Sequence, residues 1–286
     1  MTYTWDDLDL EFHVISTRKS ERRRSRLEQE LSERRIRHRF IDAIDGDDVA
    51  AVRAAFVCDL GFVPKIDAPR TRPLSSRELA CTLSHMLAIR RAHDMGLRQV
   101  VVCEDDIEIG DVDAGEIVDI LAAMPADAAY IQLHTLGAAT VQGLAEYYIK
   151  TWQLFAKKKN DDPTKFTDKL LANLSCHSVA AYVVTAAGMR NSSDRFFDGS
   201  RVLFPGHEEE ISSNVGLIAD RFVYQAAADE RHPGYACCAP TFLEEGFDSL
   251  LHPDHLEQHR EARSAAEFCR TLIKNNARSE PHSTAD

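Results

Sequence analysis

Three consecutive carboxylates, Glu104-Asp105-Asp106, follow directly on the apolar run Val100-Val101-Val102-Cys103. Holding three negative charges at the end of a buried strand is costly unless a cation or a proton relieves their repulsion. Strand alternation carried through the cluster turns Glu104 and Asp106 to one side and Asp105 to the other. Oxygen ligands at the carboxyl end of a strand suit a hard divalent cation completed by substrate phosphates. That end is also where open α/β sheets bind ligands. The same acids would also sit well in a surface loop or at a helix N-terminus, favoured there by the helix dipole.

The run Arg18-Lys19-Ser20-Glu21-Arg22-Arg23-Arg24 and its continuation to Arg35 supplies guanidinium groups, which match phosphate oxygens two at a time. Most of these arginines pair with Glu21, Glu28, Glu30 and Glu33 on a solvated helix face, leaving one or two of Arg18, Lys19, Arg22 and Arg23 for a ligand. The interspersed acids and the lack of interleaved aromatics argue against nucleic acid. His85 closes the segment Glu78–His85 one connection before the acidic cluster, as a structural histidine or a catalytic one. Glu208-Glu209-Glu210 follow a Pro-Gly turn and offer a general base on a loop or an acidic helix start. His252, His255 and His259 have helical spacing, and His255 and His259 share a face as metal ligands at i and i+4 do, although no HExxH pattern is present.

Several elements must position these groups. Glu11 to Ser16 reads as a strand, Ser20 caps a helix carrying Leu27 and Leu31, and Arg37–Gly46 returns to strand character, which makes a βαβ unit and a parallel sheet. A helix after Leu74-Ser75-Ser76 buries Leu79, Leu83, Met86 and Leu87 and stops at Gly96. The strand Gln99–Cys103 then delivers the acids. Ala128–His134, Cys176–Thr185 and Arg221–Ala228 read as further strands. Residues 142–172 are polar and lysine-rich and are expected to leave the core as a mobile excursion. Pro253 opens a C-terminal helix with Leu256, Phe268, Leu272 and Ile273 on its buried side. The expected organisation is one α/β domain over 1–250, a C-terminal helix over 251–275 and a frayed tail over 276–286.

The 286 residues allow a sizeable core, and 34 basic against 46 acidic residues give a net charge of −12, so any polyanion must meet a local basic patch. The first residues lack a secretory pattern and no apolar stretch is long enough to span a bilayer. Seven cysteines without a CxxC pair argue against zinc ribbons and a disulfide scaffold and fit a reducing cytoplasm.

The order of these motifs resembles glycosyltransferase family 25, the group of bacterial lipooligosaccharide galactosyltransferases and animal procollagen galactosyltransferases. Leu74, Ser75, Glu78, Cys81, Leu83, Ser84 and His85 fit its Leu-Ser-x-Gly-Glu-(Ile/Val)-Gly-Cys-x-Leu-Ser-His pattern, and Glu104-Asp105-Asp106 fit its Glu-Asp-Asp. Phe40–Gly46, Ala180–Thr185 and, more loosely, Cys238–Leu251 resemble its opening and later segments. The chain departs from it at Ser16-Thr17, where the family has Asn-Leu, and at Arg77 and Ala80, where it has glycines. Its later Pro-x-Asp has no clean match, with Pro205-Gly206-His207-Glu208 in its place.

The resemblance implies a GT-A-like α/β domain with a mostly parallel central sheet and a C-terminal helical extension. It implies inverting transfer of a sugar, galactose, from a UDP-sugar to a hydroxyl of a glycan, lipid-linked or peptide acceptor such as lipooligosaccharide. Manganese or magnesium would sit on Glu104 and Asp106, with His255 as an extra ligand. Arg18, Arg22, Ser84, His85 and Glu104 would contact the donor. Glu208, Glu209 and Asp105 are the candidate catalytic carboxylates. Two rival readings use the same acids: a metal-dependent phosphoesterase or nuclease, and a nucleotide-sugar-binding module without turnover. Nucleic acid and a transmembrane segment are not expected, whereas peripheral membrane contact is compatible with a lipid-linked acceptor.

Overall fold

The apolar run ahead of the acids forms the middle of a seven-stranded sheet in the computed structural model, which describes residues 4–59, 72–110, 112–207, 211, 214–239, 241–244 and 256–279. Strand β1 (Phe12–Ser16) leads through α1 (Glu21–Glu33) to β2 (His38–Asp42), which pairs with β1 in parallel. After α2 (Val49–Ala54) and β3 (Phe56–Asp59), helix α3 (Ser76–Asp94) returns the chain to β4 (Gln99–Glu104) on the other side of β1. Then come β5 (Ile107–Glu108), α4 (Ala114–Ala123), β6 (Tyr130–Gln132), α5 (Ala138–Thr151) and β7 (Phe155–Lys157). The chain continues with β8 (Ala181–Thr185), α6 (Ala186–Arg195), β9 (Phe197–Asp198), β10 (Arg201–Pro205), α7 (Ala219–Ala227), β11 (Gly234–Cys237), β12 (Leu243–Glu244) and α8 (Leu256–Ser279).

The order across the large sheet is β2-β1-β4-β8-β6-β11-β7. Five of its seven strands run one way, and β8 and β7 oppose them, so the expected mostly parallel sheet is present. Strand alternation divides the core. Val100 and Val102 of β4 face the layer built on α3, α6 and α7, while Val101 and Cys103 face the layer built on α1 and α4. All four are fully buried. Leu27 and Leu31, one turn apart, are the residues α1 buries, which leaves its arginines to the rim.

Helix α3 carries the most weight for the site. Ser75 and Glu78 close a reciprocal capping box at its start. At its end Gly96, the expected stop, takes a left-handed conformation (φ +69°). Between them Leu79, Leu83, Met86 and Ile89 are buried against β4 and its neighbours, which fixes the rotation of the helix and therefore the direction of Cys81, Ser84 and His85.

Three expectations are corrected. Arg221–Ala228 is helical in α7, because Phe222, Val223, Ala226 and Ala227 bury one face at helical spacing. Residues 142–172 do not leave the core: most of α5 and the edge strand β7 fall within them, and Phe166 and Leu171 are buried. On α8 the buried apolar residues are Ala262, Ala265, Ala266 and Cys269, with Ile273 packed partly buried against them, while Phe268 is exposed. Small side chains there allow α8 to approach α5, with Val141 and Ala145 in the contact. The helix runs to Ser279. Among the described residues, no helix is long and apolar enough to cross a membrane.

Candidate active site

Because β1, β2 and β4 run in parallel, their carboxyl ends open at one edge, where Ser16, Asp42 and Glu104 stand. A cleft of about 310 Å³ lies there, within the usual range for small-molecule sites. Glu104, Asp105 and Asp106 line it together, facing Lys19, Arg23 and Arg77 as well as Asp45 and Asp47.

The three acids have different surroundings. Asp105 is buried; its carboxylate accepts a hydrogen bond from the Ser16 hydroxyl at 2.6 Å and one from Arg23 Nη1 at 3.3 Å. Burial pushes the Asp105 carboxyl above its ordinary value, and Ser16 and Arg23 only partly offset the shift. Asp106 shares the same guanidinium at 3.5 Å. Glu104 turns toward α3, where its Oε1 lies 3.1 Å from His85 Nε2 and accepts the Cys81 thiol at 3.5 Å. The other ring nitrogen of His85 lies 3.1 Å from the Tyr182 hydroxyl on β8, and the imidazole is fully buried. Burial, reinforced by Glu104, pushes the Cys81 thiol well above its ordinary range.

The arginines of α1 divide their work by helical position. Arg26 donates to the carbonyls of Asp105 and Ile107 at 3.1 and 2.8 Å, and Arg34 donates to those of Gly110 and Val112. Glu30 accepts from the Gly110 amide at 3.0 Å. These contacts hold the acidic turn against α1. Arg18 is solvent-exposed and bound to Asp42, and Arg22 is exposed on the outer face of the helix. Neither lines the cleft; Lys19 and Arg23 do. The buried face of α1 accounts for this: Arg23 lies one turn before Leu27, on the side turned to the sheet, whereas Arg22 lies outside it.

Ser84 lines the cleft, but its hydroxyl is occupied, donating to the Ala80 carbonyl at 2.6 Å and accepting the Ile44 amide at 2.9 Å. Its role there is to anchor the loop after β2. In that loop Gly46 lies so close to Arg77 that a Cβ would come within 2.4 Å of the arginine Cα. Arg77 and Ala80, two departures from the motif pattern, both line the cleft. Glu208, Glu209 and His255 lie outside the described residues.

Sequence reading missed Asp220, in the first turn of α7. Burial pushes its carboxyl up, the His177 imidazole pulls it back, and Glu104 adds to the upward shift, which places it in the field of the acidic cluster. It accepts a hydrogen bond from the Ser178 amide. Ser178 has φ +121°, a strained value for a residue with a side chain. The signal available in the sequence was the acid one residue after Ala219, concealed by reading Arg221–Ala228 as a strand.

A family model described as "Glycosyltransferase family 25 (LPS biosynthesis protein)" matches residues 9–196. The rat protein "Probable inactive glycosyltransferase 25 family member 3" (Rattus norvegicus) is 34% identical over 104 residues, which is 35% of this chain and 18% of that protein. The chain thus spans less than a fifth of that relative's length. Mouse xyloside xylosyltransferase 1, in its apo form, is similar at a TM-score of 0.32 and 12% identity over 63% of this chain and 56% of the other.

Proposed function

Because the chain belongs to glycosyltransferase family 25, we propose that its GT-A-like domain moves a sugar, galactose, from a UDP-sugar held in this cleft to a hydroxyl of a glycan acceptor such as lipooligosaccharide. The observation that carries the reading is the cleft itself. It is open, sits beyond the carboxyl ends of parallel strands, and is lined by Glu104, Asp105 and Asp106 with Lys19, Arg23 and Arg77 opposite. Anionic phosphates need the cations, and a metal needs the acids.

The donor set fits a hard divalent cation, manganese or magnesium: Glu104 and Asp106 offer carboxylate oxygens at the cleft surface, and Asp105 lines the cleft beside them. Bound there, the cation would absorb charge on the departing diphosphate. Arg23, which bridges Asp105 and Asp106 and lines the cleft, would meet the phosphate oxygens with its guanidinium charge. Asp105 then serves to position Arg23 rather than to move a proton. Inverting transfer also needs a base for the acceptor hydroxyl, and a carboxyl with an elevated pKa suits that task. Among the described residues Asp105 has that character but is held by Ser16 and Arg23, and Asp220, whose carboxyl feels the charge of Glu104, is the other; Glu208 and Glu209 are the candidates outside them. Seven free thiols fit a reducing, cytoplasmic setting, with the acceptor reached from the membrane surface.

A binding module without turnover is the second reading. Arg77 and Ala80 in the cleft wall favour it, as does the word inactive in the name of the rat relative. Calorimetry of UDP with and without manganese, on the wild type and on Asp106→Ala, tests the donor site. We expect manganese to tighten UDP binding by at least about tenfold, and Asp106→Ala to abolish that gain. No UDP binding under either condition overturns the reading. Binding without release of UDP from any UDP-sugar and acceptor pair selects the module.

A further inference from the structure

The wall of the cleft contains a second donor set, chemically unlike the carboxylates of the turn. Cys81 and His85 are four residues apart on α3 and present a sulfur and a nitrogen on one helix face; Glu104 meets them from the end of β4. The three ligand atoms, Cys81 Sγ, His85 Nε2 and a Glu104 carboxylate oxygen, all lie within 4.8 Å of one another. We propose that Cys81, His85 and Glu104 bind a thiophilic divalent cation, zinc above all, in a three-residue site whose fourth position opens to the cleft.

The distances suit that ion. With Zn–S near 2.3 Å, Zn–N near 2.05 Å and Zn–O near 2.0 Å at tetrahedral angles, sulfur and oxygen ligands stand about 3.5 Å apart and nitrogen and oxygen ligands about 3.3 Å apart. The corresponding separations are 3.5 Å for Cys81 to Glu104 and 3.1 Å for His85 to Glu104. Both separations to Glu104 match a tetrahedral ion, and the ligand atoms of Cys81 and His85 lie within 4.8 Å of each other. The outer contacts are also in place. A metal-bound imidazole is oriented by a partner on its other nitrogen, and His85 Nδ1 has the Tyr182 hydroxyl at 3.1 Å.

Access and selectivity follow from the same residues. His85 is fully buried, but Cys81 and Glu104 both line the cleft, so an ion can enter there and retain a water. Binding replaces the thiol proton: the S–H bond breaks, a sulfur–metal bond forms and one proton goes to solvent. The resulting thiolate and the Glu104 carboxylate together match a charge of two. A thiolate–imidazole–carboxylate set selects zinc or cobalt over magnesium and calcium. It therefore differs from the all-oxygen pair proposed for the donor cation, although Glu104 belongs to both. Zinc in the α3 site would hold Glu104 away from manganese and oppose manganese-assisted UDP binding.

The same separations also suit a plain hydrogen-bonded triad without a metal, and cobalt distinguishes the two. The full chain, stripped of metal by chelator and dialysed, is titrated with Co²⁺ in the absence of nucleotide. We expect one equivalent to produce a near-ultraviolet sulfur-to-cobalt charge-transfer band with visible bands of tetrahedral intensity, and Zn²⁺ to bleach both. Cys81→Ser should remove the charge-transfer band and weaken zinc binding by at least about tenfold, the loss expected when even an outer contact of a metal site is removed. Glu104→Gln should weaken it comparably, whereas Cys58→Ser should leave the band unchanged. Circular dichroism confirms that each variant is folded. Absence of the band in the wild type, or its persistence in Cys81→Ser, overturns the proposal. Asp106→Ala separates this inference from the donor reading, because it should abolish the manganese effect on UDP and keep the cobalt band.

Discussion

Two polar clusters interrupt the apolar interior, and they resolve their charge in opposite ways. At the end of β4, Glu104, Asp105 and Asp106 face open space, and Asp105 and Asp106 share one guanidinium from Arg23. Just after β7, Lys158 is 1% exposed and is enclosed on all sides. Its ammonium donates to Gln132 Oε1 at 2.6 Å and lies 4.6 Å from the centre of the Tyr224 ring. Tyr224 stacks on Tyr130 at 4.3 Å, and its hydroxyl donates to the Ser178 carbonyl at 2.6 Å. Gln132 uses its amide hydrogens on the carbonyls of His177 and Ser178. Burial still pulls the Lys158 ammonium below its ordinary value, Cys176, Asp220 and Asp162 partly offset the shift, and the Gln132 oxygen and the ring faces enclose the charge. A buried charge with its partners complete is part of the scaffold. One left partly uncompensated at an open cleft is prepared for a ligand.

Breaking the closed cluster should produce the largest effect on stability. Lys158→Ala removes a long side chain from a packed site and should cost about 3–5 kcal/mol, as other large-to-small core truncations do. Lys158→Met keeps the volume and removes the charge, and should stay within about 1.5 kcal/mol of the wild type. Urea denaturation measures both, and UDP affinity of the methionine variant should be unchanged. A Met variant as unstable as the alanine one would mean that the charge itself holds the cluster together, contrary to the comparison.

The open cluster should respond in function instead. Arg23→Ala removes the guanidinium between Asp105 and Asp106 and should weaken UDP binding by about tenfold to a hundredfold, the worth of one or two charge-assisted hydrogen bonds. Arg22→Ala, one residue away on the exposed face, should change it less than about twofold. Calorimetry on the two variants reads the contrast directly. Equal losses would mean that the arginines act as a diffuse field rather than through the geometry of the cleft.

How much of this was legible in the sequence depended on periodicity. The βαβ start, α3 with its Gly96 stop, and the acids at the end of β4 follow from patterns with one dominant period. The strand reading of Arg221–Ala228 failed because a short run with Phe222, Val223 and Tyr224 supports both periods, and only the packing of α7 beside α3 and α6 decides between them. The lysines of 157–159 suggested solvent, but a lysine can be buried when a neutral acceptor and two aromatic faces await it, and those lie far away in sequence. Arg23 was among the candidate cations, but its choice over Arg22 needed the orientation that Leu27 and Leu31 impose on α1. Asp220 needed the tertiary fold, since its proximity to Glu104 joins segments more than a hundred residues apart.

The smallest expected effect concerns two carboxylates of similar burial, Glu78 at 7% exposure and Asp105 at 6%. Burial raises both, yet Glu78 ends below its ordinary value because Arg72 and the Ser75 amide and hydroxyl outweigh that cost. Asp105 ends above its own, with less compensation from Ser16 and Arg23. A carboxyl depressed by folding stabilises the protein above its unfolded value, 4.5 for Glu78, and loses that contribution as pH falls through the depressed value. Glu78→Gln should therefore be less stable than the wild type at pH 7 by about 0.3–1.5 kcal/mol, the usual worth of a helix-capping interaction. The difference should shrink as the pH falls below the ordinary glutamate value, because acid protonates the wild-type carboxyl and leaves the amide unchanged. Urea midpoints at neutral and acid pH measure it. A gap that stays constant would place the cost of the substitution in packing and remove Glu78 as the satisfied counterpart to Asp105.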